Sequence, residues 1–280
     1  MNLPSLKSHL AHHSSLGAKP EIAKDMQQPD LKISVKTKVL NNKSGDVTSG
    51  VPTNYHGVWR RSLLENKQGK DDSSLVLWMQ TQHRHVDIRI PALRPNYPQY
   101  ASLEDFTTNE LLMLATQQGF YGITHVQRDI CRWQREVDFQ PDSGTRDIGE
   151  IGFQFDMSGN PNVMLETGID DDYFEIWHKN KDSHLSPTDK TTTGKNRHGE
   201  ERTAYMLTAG NQVAFARPRD VVVPASISLL AAIKEHQPSR EMLLDWLDCE
   251  ISFGEKIDNQ HWKICYSTHP FREGQTANYA

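Results

Sequence analysis

The chain has 280 residues, of which 36% are hydrophobic and 24% charged, enough to bury a core for one large domain or two small ones. Its 31 basic and 36 acidic residues leave a net charge of −5, so there is no global positive field to attract nucleic acid or an anionic membrane. Cys131, Cys249 and Cys265 lie far apart, without metal-ligand or paired spacing, and read as reduced thiols. No signal-peptide core precedes them and no run approaches the roughly 18 apolar residues of a membrane span, so a cytoplasmic location is expected.

Residues 1–50 are rich in Lys, Ser, Asn, Gln and His without a sustained apolar period. A largely disordered segment is expected there, with one short strand at Leu31 to Leu40. Short alternating runs then dominate. Val58 to Glu65 and Leu75 to Thr81 flank a turn-rich connection and read as a hairpin. In His83 to Ile90, Val86, Ile88 and Ile90 alternate with polar residues until Pro91. Thr107 and Glu110 have capping-box spacing ahead of Leu111, Leu112, Leu114 and Ala115, which predicts a helix closed by Gly119.

Strands are predicted next at Tyr121 to Arg128, Ile130 to Phe139, Asp147 to Phe155, Val163 to Thr167 and Tyr173 to His178. Asn180 to Arg202 is strongly polar and predicts a loop. Thr203 to Thr208 and Gln212 to Arg217 form another hairpin signal. Ser226 to His236 and the segment starting at Ser239 predict two helices, the first with Ile227, Leu230, Ala231 and Lys234 on one face. Glu250 to Phe253 and His261 to Ser267 complete the pattern. About a dozen strands and about three short helices predict a mainly β protein, an antiparallel sandwich or barrel. Its β units are expected at 51–150 and 151–280, or as one continuous barrel domain. Trp59, Trp133 and Trp262 begin similar strands, a faint echo of duplication.

Chemistry concentrates in three places. On the strand ending at Ile90, His83, His85, Asp87 and Arg89 share one face. That face is expected either as a solvated outer surface or turned inward, where Asp87 and Arg89 would pair and His85 would shuttle protons near neutral pH. A metal held by His83 and His85 is the weakest option, because no third ligand pattern appears. Around His125, the face carrying Cys131, Trp133 and Val137 also carries Arg135, which needs a carboxylate or an anion if buried. The simplest expectation is that Arg135 snorkels out to solvent or pairs structurally with Glu150 or Glu166. Glu166 precedes the acidic triplet Asp170 to Asp172, which lacks the spaced ligands of a calcium loop and reads as a plain turn. Glu175 and Trp177 then share a face, where an aromatic wall could raise a carboxylate's pKa.

No GxGxxG, P-loop, GxSxG or CxxC pattern occurs, which argues against ATP-dependent, dinucleotide-dependent and serine-hydrolase chemistry. Tyr55-His56-Gly57-Val58-Trp59-Arg60-Arg61, with Trp78-Met79-Gln80-Thr81 and Val86-Asp87-Ile88-Arg89-Ile90-Pro91, resembles poorly characterised bacterial proteins. Phe139-Gln140-Pro141 and Ser267-Thr268-His269-Pro270 fit the same pattern. The chain is similar to lipocalin-like, two-barrel proteins of the fungal Hri type over about residues 55–272. The resemblance implies a calycin-like β-barrel and brings no catalytic residues, and the long N-terminal segment departs from a compact lipocalin.

The expected function is binding of a small hydrophobic or aromatic molecule in the barrel cavity, walled by Trp59, Trp78, Trp133 and Trp177 and oriented by His85, Arg89 and Arg135. The rival is an acid–base lyase, isomerase or cyclase without an organic cofactor. There His85 or His125 would move a proton, Asp87, Glu166 or Glu175 would act as partner acid or base, and an Arg would stabilise developing charge. A third option is a protein-interaction scaffold. No nucleic acid, membrane or metal partner is expected, and a homodimer is left open.

Overall fold

The computed structural model describes residues 50–278 apart from 182 and 184–186; the disordered segment and short strand expected in 1–49 lie outside them. Two antiparallel sheets organise the described chain. The first contains β1 (Gly57–Asn66), β2 (Gly69–Asp71), β3 (Leu75–Gln80), β4 (Arg84–Ile90), β5 (Gln118–Gln127), β6 (Ile130–Asp138), β7 (Asp147–Phe155), β8 (Pro161–Gly168) and β9 (Tyr173–Lys179). β9 returns to pair with β1, from Asn66↔Tyr173 to Trp59↔Lys179, so eight strands close into a barrel and β2 remains a short flap on β1. Closure removes the free edges of the sheet.

The second sheet is a curled half-barrel in the order β10 (Thr188–Lys195), β11 (Glu201–Ala209), β12 (Gln212–Arg217), β13 (Glu250–Lys256), β14 (His261–Ser267) and β15 (Thr276–Asn278). The expected change of unit at 150/151 therefore falls inside β7, and the sheets change over only after Lys179. The loop expected at 180–202 contains β10. Its Thr-rich sequence has no apolar alternation, but β-branched residues suit an extended edge strand, and Thr188 pairs its hydroxyl with that of Thr208 at 2.9 Å.

Three helices fill the space beside the sheets: α1 (Thr108–Leu114), α2 (Leu229–His236) and α3 (Arg240–Leu247). The capping box at Thr107 and Glu110 is formed as the spacing predicts, with the Thr107 amide donating to Glu110 at 2.7 Å. Gly119 does not close that helix; it lies in β5. In α2 the buried positions are Leu229, Ala232 and Ile233, and Ile227, expected on that face, is exposed before the Ser228 cap. No helix among the described residues is long and apolar enough to cross a membrane.

The main core lies between the two sheets and the helices. Val86, Ile88 and Ile90 of β4 point out of the barrel and pack with Leu77, Met79, Leu207, Ala214 and Ile251. This explains the alternation of β4: its apolar face is the seam to the second sheet, and its polar face is left to the barrel interior.

Candidate functional site

Each barrel strand sends alternate residues inward, and these fall into three levels. The closed end is apolar: Val51, Tyr55, Trp59, Ile151 and Met164 form one buried cluster that continues to Trp78, Trp133 and Trp177. Trp59 is fully buried and donates its indole N–H to the Tyr55 carbonyl at 2.8 Å. It belongs to the floor rather than to any open wall. Trp78 meets Trp133 and Trp177 edge to face, with centroids 6.2 and 6.5 Å apart, so this half of the barrel is packed solid.

Polar residues from β3, β4 and β5 interrupt that packing. Thr124 donates its hydroxyl to Gln80 Oε1 at 2.6 Å, so His85 Nδ1 must be the donor in its 2.8 Å contact with Thr124 Oγ1. The imidazole is therefore the neutral Nδ1–H tautomer, and its buried Nε2 has no partner. Burial, followed by the positive fields of Arg135 and Arg84, pushes its pKa down to about 3. His85 is turned inward, against the solvated-face expectation, yet it cannot shuttle protons near neutral pH as expected. His83 is exposed, so the two histidines share no site, and among the described residues no group of three or more His, Cys, Asp or Glu could hold a metal.

The other end of the barrel is open and charged. A cleft of about 870 Å³ is bordered by Arg89, Trp133, Arg135, Asp147, Glu166, Tyr173 and Glu175, with the 170–172 turn and the 138–148 connection at its rim. Below it, an inner space of about 10 Å³ lies among Trp78, Asp87, Phe120, Trp133, Glu166 and Trp177. The indole N–H groups of Trp78 and Trp177 have no acceptor.

Three guanidiniums near this end are engaged, whereas Arg132, which also borders the cleft, is exposed. Arg61 donates to Glu175 and to Asp71, each at 2.7 Å. Arg89 reaches Asp87 through Nε at 2.9 Å. Arg135 lies 3.9 Å from the Phe120 ring centroid and bonds Asp138 at 2.8 Å and Asp147 at 2.6 Å. Its expected partners Glu150 and Glu166 are thus replaced by Asp138 and Asp147. The register shift between Tyr121 and Gly122 on β5 sets this geometry. A Cβ at Gly122 would collide with the Gln134 carbonyl, so the β5–β6 crossing needs glycine there. At the rim of the cleft, Asp170 pairs with Arg146 at 2.7 Å and Asp172 with Lys67 at 3.5 Å.

Glu166 stands apart. It is 5% exposed, makes no ion pair among the described residues, and accepts a hydrogen bond from the Tyr173 hydroxyl at 2.8 Å. Burial, then the negative fields of Glu175 and Asp147, hold its carboxyl well above the usual range. Gly149 makes room for it: a Cβ there would lie 3.1 Å from Glu166 Cγ. Burial also raises Glu175, against the opposing fields of Arg89 and Arg61, and raises Asp87, against Arg89.

No family model matches this sequence, and no curated protein matches it. Two solved structures are similar. An uncharacterised protein from Saccharomyces cerevisiae aligns at 10% identity and a TM-score of 0.39, over 80% of this chain and 84% of that one. An uncharacterised protein from Bacteroides eggerthii aligns at 10% identity and a TM-score of 0.27, over 45% of this chain and 99% of that one. Similarity at this level carries no inference about function.

The open end thus gathers Trp78, Asp87, Arg89, Trp133, Arg135, Glu166, Glu175 and Trp177 from the sequence candidates. It leaves out Trp59, sealed in the floor, and His85, sealed beside Thr124. His125 is exposed and contacts Gln134 at 3.3 Å, away from the cleft. Sequence reasoning gave no site role to Arg61, Asp138, Asp147 or Tyr173. The usable signal was alternation: Asp147 shares a strand face with Gly149 and Ile151, and Tyr173 with Glu175 and Trp177.

Proposed function

We propose that the barrel binds a small organic molecule at its open end, with an aromatic or apolar portion against Trp133 and a polar group among the buried carboxyls. The carrying observation is the cleft of about 870 Å³ that meets the tryptophan-lined interior, a volume typical of small-molecule sites. The apolar half of the barrel is filled by its own side chains, so the ligand sits higher and meets more charge than a purely hydrophobic cavity would offer. The inward position of the β4 polar face favours a ligand site over a scaffold surface. The free thiols Cys131, Cys249 and Cys265 favour a cytoplasmic setting.

Native mass spectrometry of protein purified from its source, with a fragment screen read by tryptophan fluorescence, tests this role. A retained small molecule, or a fragment whose signal is lost in Trp133→Phe, supports it. Fragments that bind only away from Trp133 count against it.

A second role, acid–base chemistry without an organic cofactor, is supported by one observation. Glu166, whose carboxyl burial holds well above the usual range, lies directly across the strand pair from Glu175, which is held by Arg61. Such a pair offers a proton donor beside an ion-paired carboxylate. Under this role Glu166→Gln abolishes turnover of a bound compound while leaving its affinity nearly intact; unchanged turnover sinks it.

A further inference from the structure

Resting on the binding role above, we propose that the ligand enters the inner space of the barrel with an uncharged oxygen, a hydroxyl or a carbonyl, that accepts hydrogen bonds from the indoles of Trp78 and Trp177.

The orphaned donors carry this inference. Trp78 and Trp177 are each 2% exposed, and their indole N–H groups have no acceptor among the described residues. Buried donors without acceptors are uncommon, because each loses its hydrogen bond to water and gains none in return. Both tryptophans border the inner space of about 10 Å³, which is room for one water-sized group. That space adjoins the outer cleft, since Arg89, Trp133, Asp147 and Glu166 border both. A ligand whose ring lies against Trp133 therefore reaches the indoles with one small leading group. The unpaired Nε2 of His85, an acceptor, borders neither space.

The charges around the inner space argue against an ion there. Asp87, Asp147 and Glu166 border it, and the cation beside them is Arg89, which already holds Asp87 through Nε at 2.9 Å. An entering carboxylate would meet three carboxyls with one guanidinium to offset them. An ammonium would suit the carboxyls but has no lone pair, so the indoles would stay unpaired. Arg132 lies exposed on the outer cleft and not on the inner space. An anionic group can rest there without displacing anything, and it would belong to the far end of the ligand.

An uncharged oxygen meets these demands. It accepts from the indoles, and a hydroxyl can also donate to a carboxyl. Tyr173 occupies Oε1 of Glu166, and Arg135 occupies Oδ2 of Asp147, which leaves the second oxygen of each.

The test is a matched series on one bicyclic body: indane, 1-indanone, 1-indanol, 1-aminoindane and indane-1-carboxylate, titrated into the whole chain at pH 7. Affinities are read by tryptophan fluorescence, and the indole N–H resonances of the six tryptophans are followed in isotope-labelled protein. The ketone or the alcohol is expected to bind roughly tenfold tighter than indane, the effect of one or two neutral hydrogen bonds. Two indole resonances should move with that oxygen ligand and stay in place with indane. Trp78→Phe and Trp177→Phe assign them, and each variant should lose most of the oxygen's advantage while still binding indane. The series and the spectra use the unaltered protein, so they decide the matter even if a variant folds poorly. Indane binding as tightly as both oxygen compounds overturns the proposal, as does tighter binding of the amine or the carboxylate. Oxygen ligands that bind without moving those resonances also overturn it, and so does the absence of saturable binding by either oxygen compound at millimolar concentration. All of these outcomes leave the binding role intact; that role falls if the fragment screen finds no ligand that depends on Trp133.

Discussion

Glu166 and Glu175 are cross-strand partners on β8 and β9, yet only Glu175 has a guanidinium within ion-pair distance among the described residues, that of Arg61 at 2.7 Å. The asymmetry divides the pair into a carboxyl without a cation partner and a compensated one. It governs both the chemistry of the open end and the response of the fold to pH.

Stability should fall with rising pH through Glu166. Its folded pKa lies well above the ordinary 4.5, so the folded form keeps a proton that the unfolded chain sheds. The contribution is neutral below about pH 4.5 and grows unfavourable as pH climbs toward the folded pKa. Glu166→Gln should raise Tm at pH 8 by roughly 2–4 °C, the effect of about 1 kcal/mol in a domain of this size. The gain should shrink toward pH 5, and thermal melts across this range check it.

Removing Arg61 should be severe. Arg61→Met leaves Glu175 buried without its cation and frees Asp71, a loss of about 3–5 kcal/mol at pH 7. Adding Glu175→Gln should recover a large part of that, because the uncompensated charge goes with it. Urea unfolding of the single and double variants measures the recovery, and none at all would mean that packing, not charge, sets the loss.

His85 should remain neutral across the physiological range. Its pKa is pushed down to about 3, so its ring resonances should not titrate between pH 5 and 8. The depressed value also means that stability is lost as pH falls from about 6.5 toward 3, where the unfolded chain takes up a proton that the folded one refuses. Proton-detected NMR with His85→Gln for assignment settles both points.

Two glycines in barrel strands should respond oppositely. Gly122→Ala drives a Cβ into the Gln134 carbonyl and should cost about 2 kcal/mol or more. Gly152→Ala meets nothing within 4 Å and should stay within about 0.5 kcal/mol of the parent. Chemical denaturation of the two variants makes the comparison.

Much of the strand framework of both sheets is legible in the residues. The strands Asp147–Phe155, Gln212–Arg217 and His261–Ser267 fall where alternation puts them, and Ser239 caps α3 as its position predicts. Alternation states which residues share a face but not which face looks inward. For β4 the apolar triplet Val86, Ile88 and Ile90 is claimed by the second sheet, so the charged face goes to the interior, a choice only the tertiary fold makes. β10 escaped notice because an edge strand of Thr, Lys and Asp carries no hydrophobic period. Arg135's partners were misjudged because the register shift opposite Tyr121 and Gly122 brings Asp138 to the face of Arg135, and Asp147 arrives from β7, neither of which strict alternation encodes.

The seam behind β4 makes the barrel dependent on the chain that follows it. A truncated protein ending after β9 would retain every strand needed for closure, yet expose Leu77, Met79, Val86, Ile88 and Ile90, now covered by Leu207, Ala214 and Ile251. An apolar stripe of that extent invites self-association, so the half-barrel acts as a permanent cover over this side of the closed barrel.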